Sequence, residues 1–336
     1  MSEPQPNLPQ EAEKETLPDF SVKNTENKRT ILFMVILSFV CALILSVLAS
    51  ALAEPKAIAK DLDRSKQMMI AAKILSHEGY FLIKDAQGNY VPAKYLKDGI
   101  LIPGSTENFA TNQELLDVYK LRVKPMLADN KGNLKTFAEA HLNEDEYFSS
   151  YAKTGYYLQP LKLVYVISQN PSQEAKLAEG KETSNHKEVP DGYVIPVNGF
   201  GLWDAIYGYL AISTDGDTVI GTTWYDQKET PGLGANIADA YWQDLFPGKL
   251  IFQQSADGKT DFKTAPLGID VVKGKVSEVL GDTPKAKSAV DGMAGATLTG
   301  NGVSDAYRSV LNAYRPFLIK LHDAYQKTNT EAKEAA

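Results

Sequence analysis

Hydrophobic positions recur on three different periods along this chain, and each period marks a region. Over 31–53 the apolar run is uninterrupted by any charged residue, glycine or proline. As a helix rising about 1.5 Å per residue, that run is about 34 Å long, enough to cross a hydrocarbon core of about 30 Å. Ala51-Leu52-Ala53 also has the form of a signal-cleavage site. Against cleavage, the run exceeds the usual signal core of about 7–15 residues and follows a polar leader of about 29 residues. The expectation is an uncleaved span over 30–53 after a flexible tail over 1–29, which is rich in Glu, Asn, Lys and Pro. From 56 to about 76 the spacing turns helical, with Ile58, Leu62, Met68, Met69, Ala72 and Leu75 as the stripe.

Beyond that helix the pattern shortens. Strands are expected at 80–83 and 100–102, with a turn at Gln87-Gly88-Asn89 after the first. The stretch 104–153 reads as helices and loops, and its acidic run Glu144-Asp145-Glu146 reads as solvated surface. A β-branched run at 162–167 predicts a strand, and the polar, proline-bearing stretch 168–191 a long surface loop. Alternation then predicts strands at 193–197, 207–213 and 218–224, the last two joined by a hairpin at Asp215-Gly216-Asp217, with more at 249–253 and 268–272. Val303, Ala306, Tyr307, Val310, Leu311 and Tyr314 repeat at i, i+3, i+4 and predict a helix. Pro316 is expected to end it and open another. Strands and helices do not alternate regularly, so the class expected is α+β, as one domain over 54–326 with a flexible tail over 327–336.

Composition narrows the partners. Of 336 residues 43% are hydrophobic and 23% charged, with a net charge of −7 and no cluster of Lys and Arg, which argues against a nucleic-acid partner. The single cysteine, Cys41, lies in the apolar run and rules out an intramolecular disulfide, a CxxC zinc site and a cysteine-ligated iron–sulfur cluster. His77, His141, His186 and His322 are too far apart in sequence to form a metal motif. Lys23, Lys28 and Arg29 on one side of the span are balanced by Lys56, Lys60, Arg64 and Lys66 on the other, so charge leaves its orientation open.

Candidate chemistry gathers in three glycine-bearing stretches. Asp291-Gly292-Met293-Ala294-Gly295-Ala296-Thr297-Leu298-Thr299-Gly300-Asn301-Gly302 runs into a helix expected to start near Val303. Backbone N–H groups in such a loop, and the helix N-terminus after it, favour an anion such as phosphate, with hydroxyls at Thr297 and Thr299 alongside. The spacing fits neither a P-loop nor a dinucleotide turn. Taken alone, the spacing slightly favours a structural loop with a threonine cap over a phosphate site. Glu229-Thr230-Pro231-Gly232-Leu233-Gly234 offers a tight turn with close backbone approach, and Gly199-Phe200-Gly201-Leu202-Trp203 sets aromatics between glycines.

The three stretches, in this order and behind an early span, resemble the C subunits of the sodium-translocating NADH:quinone reductases, and more broadly the FMN-binding domains of the related Rnf complex. Tyr207-Gly208-Tyr209-Leu210-Ala211 and Gly248-Lys249 belong to the same likeness, which is concentrated over about 190–320. The resemblance implies FMN joined through its phosphate to a threonine in D-x-x-[S/T]-G-A-T. Asp291 and Gly295-Ala296-Thr297 match that motif, and Thr297 is the acceptor. It also implies a dedicated flavin transferase, partner subunits of a membrane complex, and electrons passing from NADH towards ubiquinone with sodium export by the complex. The anchor would lie in the lipid of a bacterial inner membrane, with the N-terminus cytoplasmic and the flavin domain periplasmic. Gly295, Ala296, Leu298, Thr299, Glu229, Thr230, Leu233, Gly234, Trp203 and Lys249 are the further candidates to hold the cofactor. No catalytic side chain of the chain's own is required, because the cofactor supplies the chemistry. Two positions depart from the pattern: Ala294 stands where Ser or Thr is usual, and Gln227 where His is common. The alternatives are an Rnf-type subunit and a membrane-anchored binding module without redox chemistry.

Overall fold

The long apolar run is one helix, α1 (Phe20–Ala51). In this computed structural model, which describes residues 20–168 and 190–334, α1 begins inside the stretch expected to be tail. Its segment Lys28–Ala51 has a mean hydropathy of 3.1 and buries none of its side chains against protein. A helix that is apolar on every side, with no protein covering it, suits a lipid surround. The chain divides after Ala59 into two compact units. The helix α2 (Ala53–Ala71) begins in the first and runs into the second.

The second unit is built on sheets. In chain order it contains β1 (Phe81–Lys84), β2 (Tyr90–Lys97), β3 (Ile100–Pro103), α3 (Asn112–Arg122), β4 (Val123–Ala128), β5 (Leu134–Lys135), α4 (Glu144–Tyr151) and β6 (Lys162–Ile167). After the undescribed residues 169–189, where most of the expected surface loop falls, come β7 (Gly192–Phe200), β8 (Ala205–Ile212), β9 (Val219–Asp226), α5 (Ala240–Gln243), β10 (Asp270–Val271), α6 (Val276–Val279), β11 (Ala289–Val290) and α7 (Thr297–Glu334). A six-stranded antiparallel sheet has the order β5-β4-β6-β7-β8-β9; β1, β2 and β3 form a smaller antiparallel sheet, and β10 pairs with β11 in parallel. The class is α+β, as expected.

Strand periodicity sorts the large sheet into two faces. Ile195 and Val197 of β7, Ile206 and Leu210 of β8 and Trp224 of β9 pack with Val303, Tyr307, Val310 and Tyr314 of α7. The intervening residues Val194, Tyr209 and Ala211, with Tyr165 of β6, pack with Met68 and Met69 of α2, Phe81 of β1 and Leu115 of α3. Both faces are therefore covered, which explains why β6 is buried at all six positions.

Several expectations change. The C-terminal helix is one piece: Pro316 lies inside α7, which also runs on to Glu334 through most of the expected tail. A proline inside a helix costs about 3 kcal/mol. Phe317 and Leu318 just beyond it are buried, each worth about 1.5–3 kcal/mol, so packing on the sheet outweighs the break. The 249–253 stretch makes only isolated bridges, Leu250 to Thr218 and Phe252 to Leu267, in place of a strand. β2 and β4 arise where no strand was expected, each carrying a proline.

Candidate functional site

Three loops meet at the N-terminus of α7, held together by one carboxylate. Glu229, 5% exposed, follows β9. Its Oε2 accepts from the Leu202 N–H at 3.0 Å and from the Thr299 hydroxyl at 2.5 Å, and its Oε1 accepts from the Trp203 N–H at 3.0 Å. Gln227 Oε1 accepts from the Glu229 N–H at 2.6 Å, so the departure at Gln227 retains an acceptor there. Burial alone would push the Glu229 pKa up. The bonds from Thr299, Trp203 and Leu202 outweigh it and hold the carboxyl below its ordinary range. The Trp203 indole N–H donates to the Thr230 hydroxyl at 3.0 Å, with the ring 68% exposed.

Glycines allow this convergence. A Cβ on Gly234 would meet the Thr299 hydroxyl, one on Gly201 the Glu229 carboxylate, and one on Gly302 the Phe200 carbonyl. The Asp291 carboxylate accepts from the Val276 N–H at 2.7 Å, and its carbonyl accepts from the Trp242 indole at 3.0 Å. Asp291 thus fixes the entry of the loop. Gly295 then turns with φ of +73°, and α7 begins at Thr297, six residues earlier than Val303. The apolar stripe that marked the helix starts only where α7 meets the core, whereas its first turn projects beyond it.

That projection puts Thr297 between two clefts. One, of about 200 Å³, is lined by Leu202, Glu229, Thr230, Leu233, Gly234 and residues 295–299. The other, of about 290 Å³, is lined by Val271, Lys273, Lys275, Asn301 and residues 292–297. Thr297 and Leu298 are exposed, whereas Thr299 is buried against Glu229. The first-turn N–H groups of a helix have no intrahelical acceptor, so an anion at the Thr297 side chain meets donors and the positive end of the helix dipole.

Nine of the sequence candidates, Gly295, Ala296, Thr297, Leu298, Thr299, Glu229, Thr230, Leu233 and Gly234, line one cleft, and Trp203 adjoins it through Thr230. Lys249 does not join them. It follows the Gly248 turn, and its ammonium donates to the Ala286 carbonyl at 3.3 Å. Lys273 and Lys275 were not among the candidates, their only signal being two lysines flanking Gly274 ahead of the Asp291 loop.

Residues 201–312 match the model of the FMN-binding domain, a span that opens in the Trp203 loop and closes in α7. The C subunit of the Na(+)-translocating NADH-quinone reductase of Chlamydia caviae is 42% identical over 305 residues, 90% of this chain and 95% of that protein. The chain belongs to this C-subunit family. The corresponding protein of Vibrio campbellii is 30% identical over 89% of this chain and 97% of its own. A crystal structure of the Parabacteroides distasonis member aligns with a TM-score of 0.46 at 21% identity, covering 77% of this chain and 92% of that one. Family membership makes this chain part of an oxidoreductase complex. The cleft fits a flavin phosphate on its own geometry. Glycines let the loops close on one another around it, an exposed hydroxyl stands at a helix N-terminus, and two lysines line the adjoining cleft.

Proposed function

We propose that the chain carries FMN as a phosphoester on the Thr297 hydroxyl and relays electrons within a membrane NADH:quinone reductase. The observation that carries this reading is the position of Thr297, exposed on the first turn of α7 between two clefts. A phosphodiester there keeps one negative charge. The N–H groups of the first turn and Lys273 and Lys275 would balance it. Leu233 and Leu298, both exposed, would cover the ring on one side and Trp203 on another, limiting water access. Glu229 holds the two loops and the helix in one arrangement and so fixes the cradle. Bound FMN supplies the electron-accepting and electron-donating chemistry that these side chains lack.

In this reading α1 anchors the chain in the inner-membrane lipid, N-terminus in the cytoplasm and flavin domain in the periplasm. Electrons originating from NADH pass through it to other subunits on their way to ubiquinone, and the complex couples that flow to sodium export. A flavin transferase makes the ester. Ala294 keeps the acceptor itself intact, because it stands three residues before Thr297.

The test is in-gel ultraviolet fluorescence of denatured protein made together with a flavin transferase. Wild-type chain should give a fluorescent band and Thr297→Ala none. Thr299→Ala, which removes a hydroxyl committed to Glu229, should keep it. An equally bright band in Thr297→Ala overturns the assignment.

A further inference from the structure

The two clefts beside Thr297 differ in charge. Lys273 and Lys275 line the one of about 290 Å³. The one of about 200 Å³ has a single charged residue among those that line it, Glu229, and its walls are otherwise Leu202, Leu233, Leu298 and small or hydroxyl-bearing residues. With the phosphate ester on Thr297, the lysines suit the phosphate and the apolar walls suit the flat ring. The fixed charge on the ring's side is then negative.

That charge is buried and held by neutral groups. Glu229 is 5% exposed, and its carboxylate accepts from the Leu202 and Trp203 N–H groups and from the Thr299 hydroxyl. These bonds keep its pKa below the ordinary carboxylate range, so the charge is present at neutral pH. The neighbouring cation, Lys228, pairs with Asp204 instead. Neutral acceptors also tie loops, at a lower cost of burial. What a carboxylate adds besides stronger bonds is a field, and in a water-poor interior that field reaches further than in solvent.

We propose that Glu229 sets the potential of the flavin: its charge beneath the cleft makes reduction there less favourable than a neutral cleft would. This rests on the reading of Thr297 as the flavin carrier. Electrons that arrive in the cleft bring negative charge towards a fixed negative charge, which lowers the reduction potential. Thr299 tempers the effect, because its hydroxyl donates to the carboxylate and offsets part of the field. A side chain that only held the loops would behave differently. Removing either member of the Glu229–Thr299 pair would then loosen the same cleft and move the potential the same way, whereas the field requires opposite directions.

The test is a redox titration of the full-length chain in detergent, made together with a flavin transferase, at pH 8 against a reference dye, with flavin absorbance as the readout. Glu229→Gln should raise the ratio of reduced to oxidised flavin at a fixed dye potential about tenfold, equal to about 30 mV for a two-electron couple. Thr299→Val, which removes the hydroxyl donor and leaves the carboxylate, should lower that ratio. Equal potentials in wild type and Glu229→Gln, or shifts of one sign in both variants, overturn the proposal and leave the Thr297 reading standing. A wild-type chain without covalent flavin overturns that reading, and this proposal with it. Should Glu229→Gln fail to fold, an unchanged or raised ratio in Thr299→Val overturns the proposal.

Discussion

Glu229 shows at the scale of one residue how the site is held. Its bonds reach 27, 26 and 70 residues along the chain, to Leu202, Trp203 and Thr299. Replacing it with glutamine puts an N–H group among donors and should cost about 1.5–3 kcal/mol at pH 7, read from urea midpoints. The folded carboxyl lies below its ordinary range. Its stabilisation is therefore fully present above the unfolded value of about 4.3 and is lost as pH falls through the folded one. The gap between wild type and Glu229→Gln should accordingly narrow as pH is lowered from 7 towards 3. A gap that stays constant would show that the charge is not what ties the loops. Glu-Thr-Pro-Gly-Leu-Gly made Glu229 conspicuous along the chain, but not its partners, because long-range hydrogen bonds leave no local pattern. Lys273 and Lys275 were hidden for the same reason: only the fold brings them beside the Thr297 loop.

Elements whose faces are buried were readable, whereas two strands that carry a proline, β2 and β4, were not. The stripe from Val303 to Tyr314 and the alternation along β7 and β8 both reflect burial against the same core. β2 and β4 carry Pro92 and Pro125, which read as breakers. In the fold, Pro92 lies beyond the end of β3, which pairs only as far as Ala93, and β5 covers only Leu127 and Ala128 of β4. Each proline therefore stands where a strand has a neighbour on one side only, and a missing N–H is tolerated there. The same reasoning applies to α7. Pro316 is exposed, so Pro316→Ala opens no cavity and restores a helical bond; a gain of about 1–3 kcal/mol is expected in the denaturant midpoint. Gly302→Ala should act the other way. Its Cβ would run into the Phe200 carbonyl and lever the first turn of α7 off the end of β7, at a cost of about 1–3 kcal/mol.

For the molecule as a whole, the question is on which side of a membrane the second unit lies. α1 is apolar on every side, and the basic residues flanking it are balanced, so neither decides. The single cysteine makes the matter accessible to experiment, because Cys41 sits within α1, where lipid would shield it from a polar reagent. Leu158, 63% exposed in the short turn before β6, offers a second position whose side chain supports no core. With the flavin domain periplasmic, a membrane-impermeant maleimide added to spheroplasts should label the Leu158→Cys chain and spare the parent. In inverted vesicles, Leu158→Cys should remain unlabelled until detergent is added. Labelling in inverted vesicles alone would place the domain in the cytoplasm. Covalent flavin could still form there, but the electron path would have to run on the other face of the membrane.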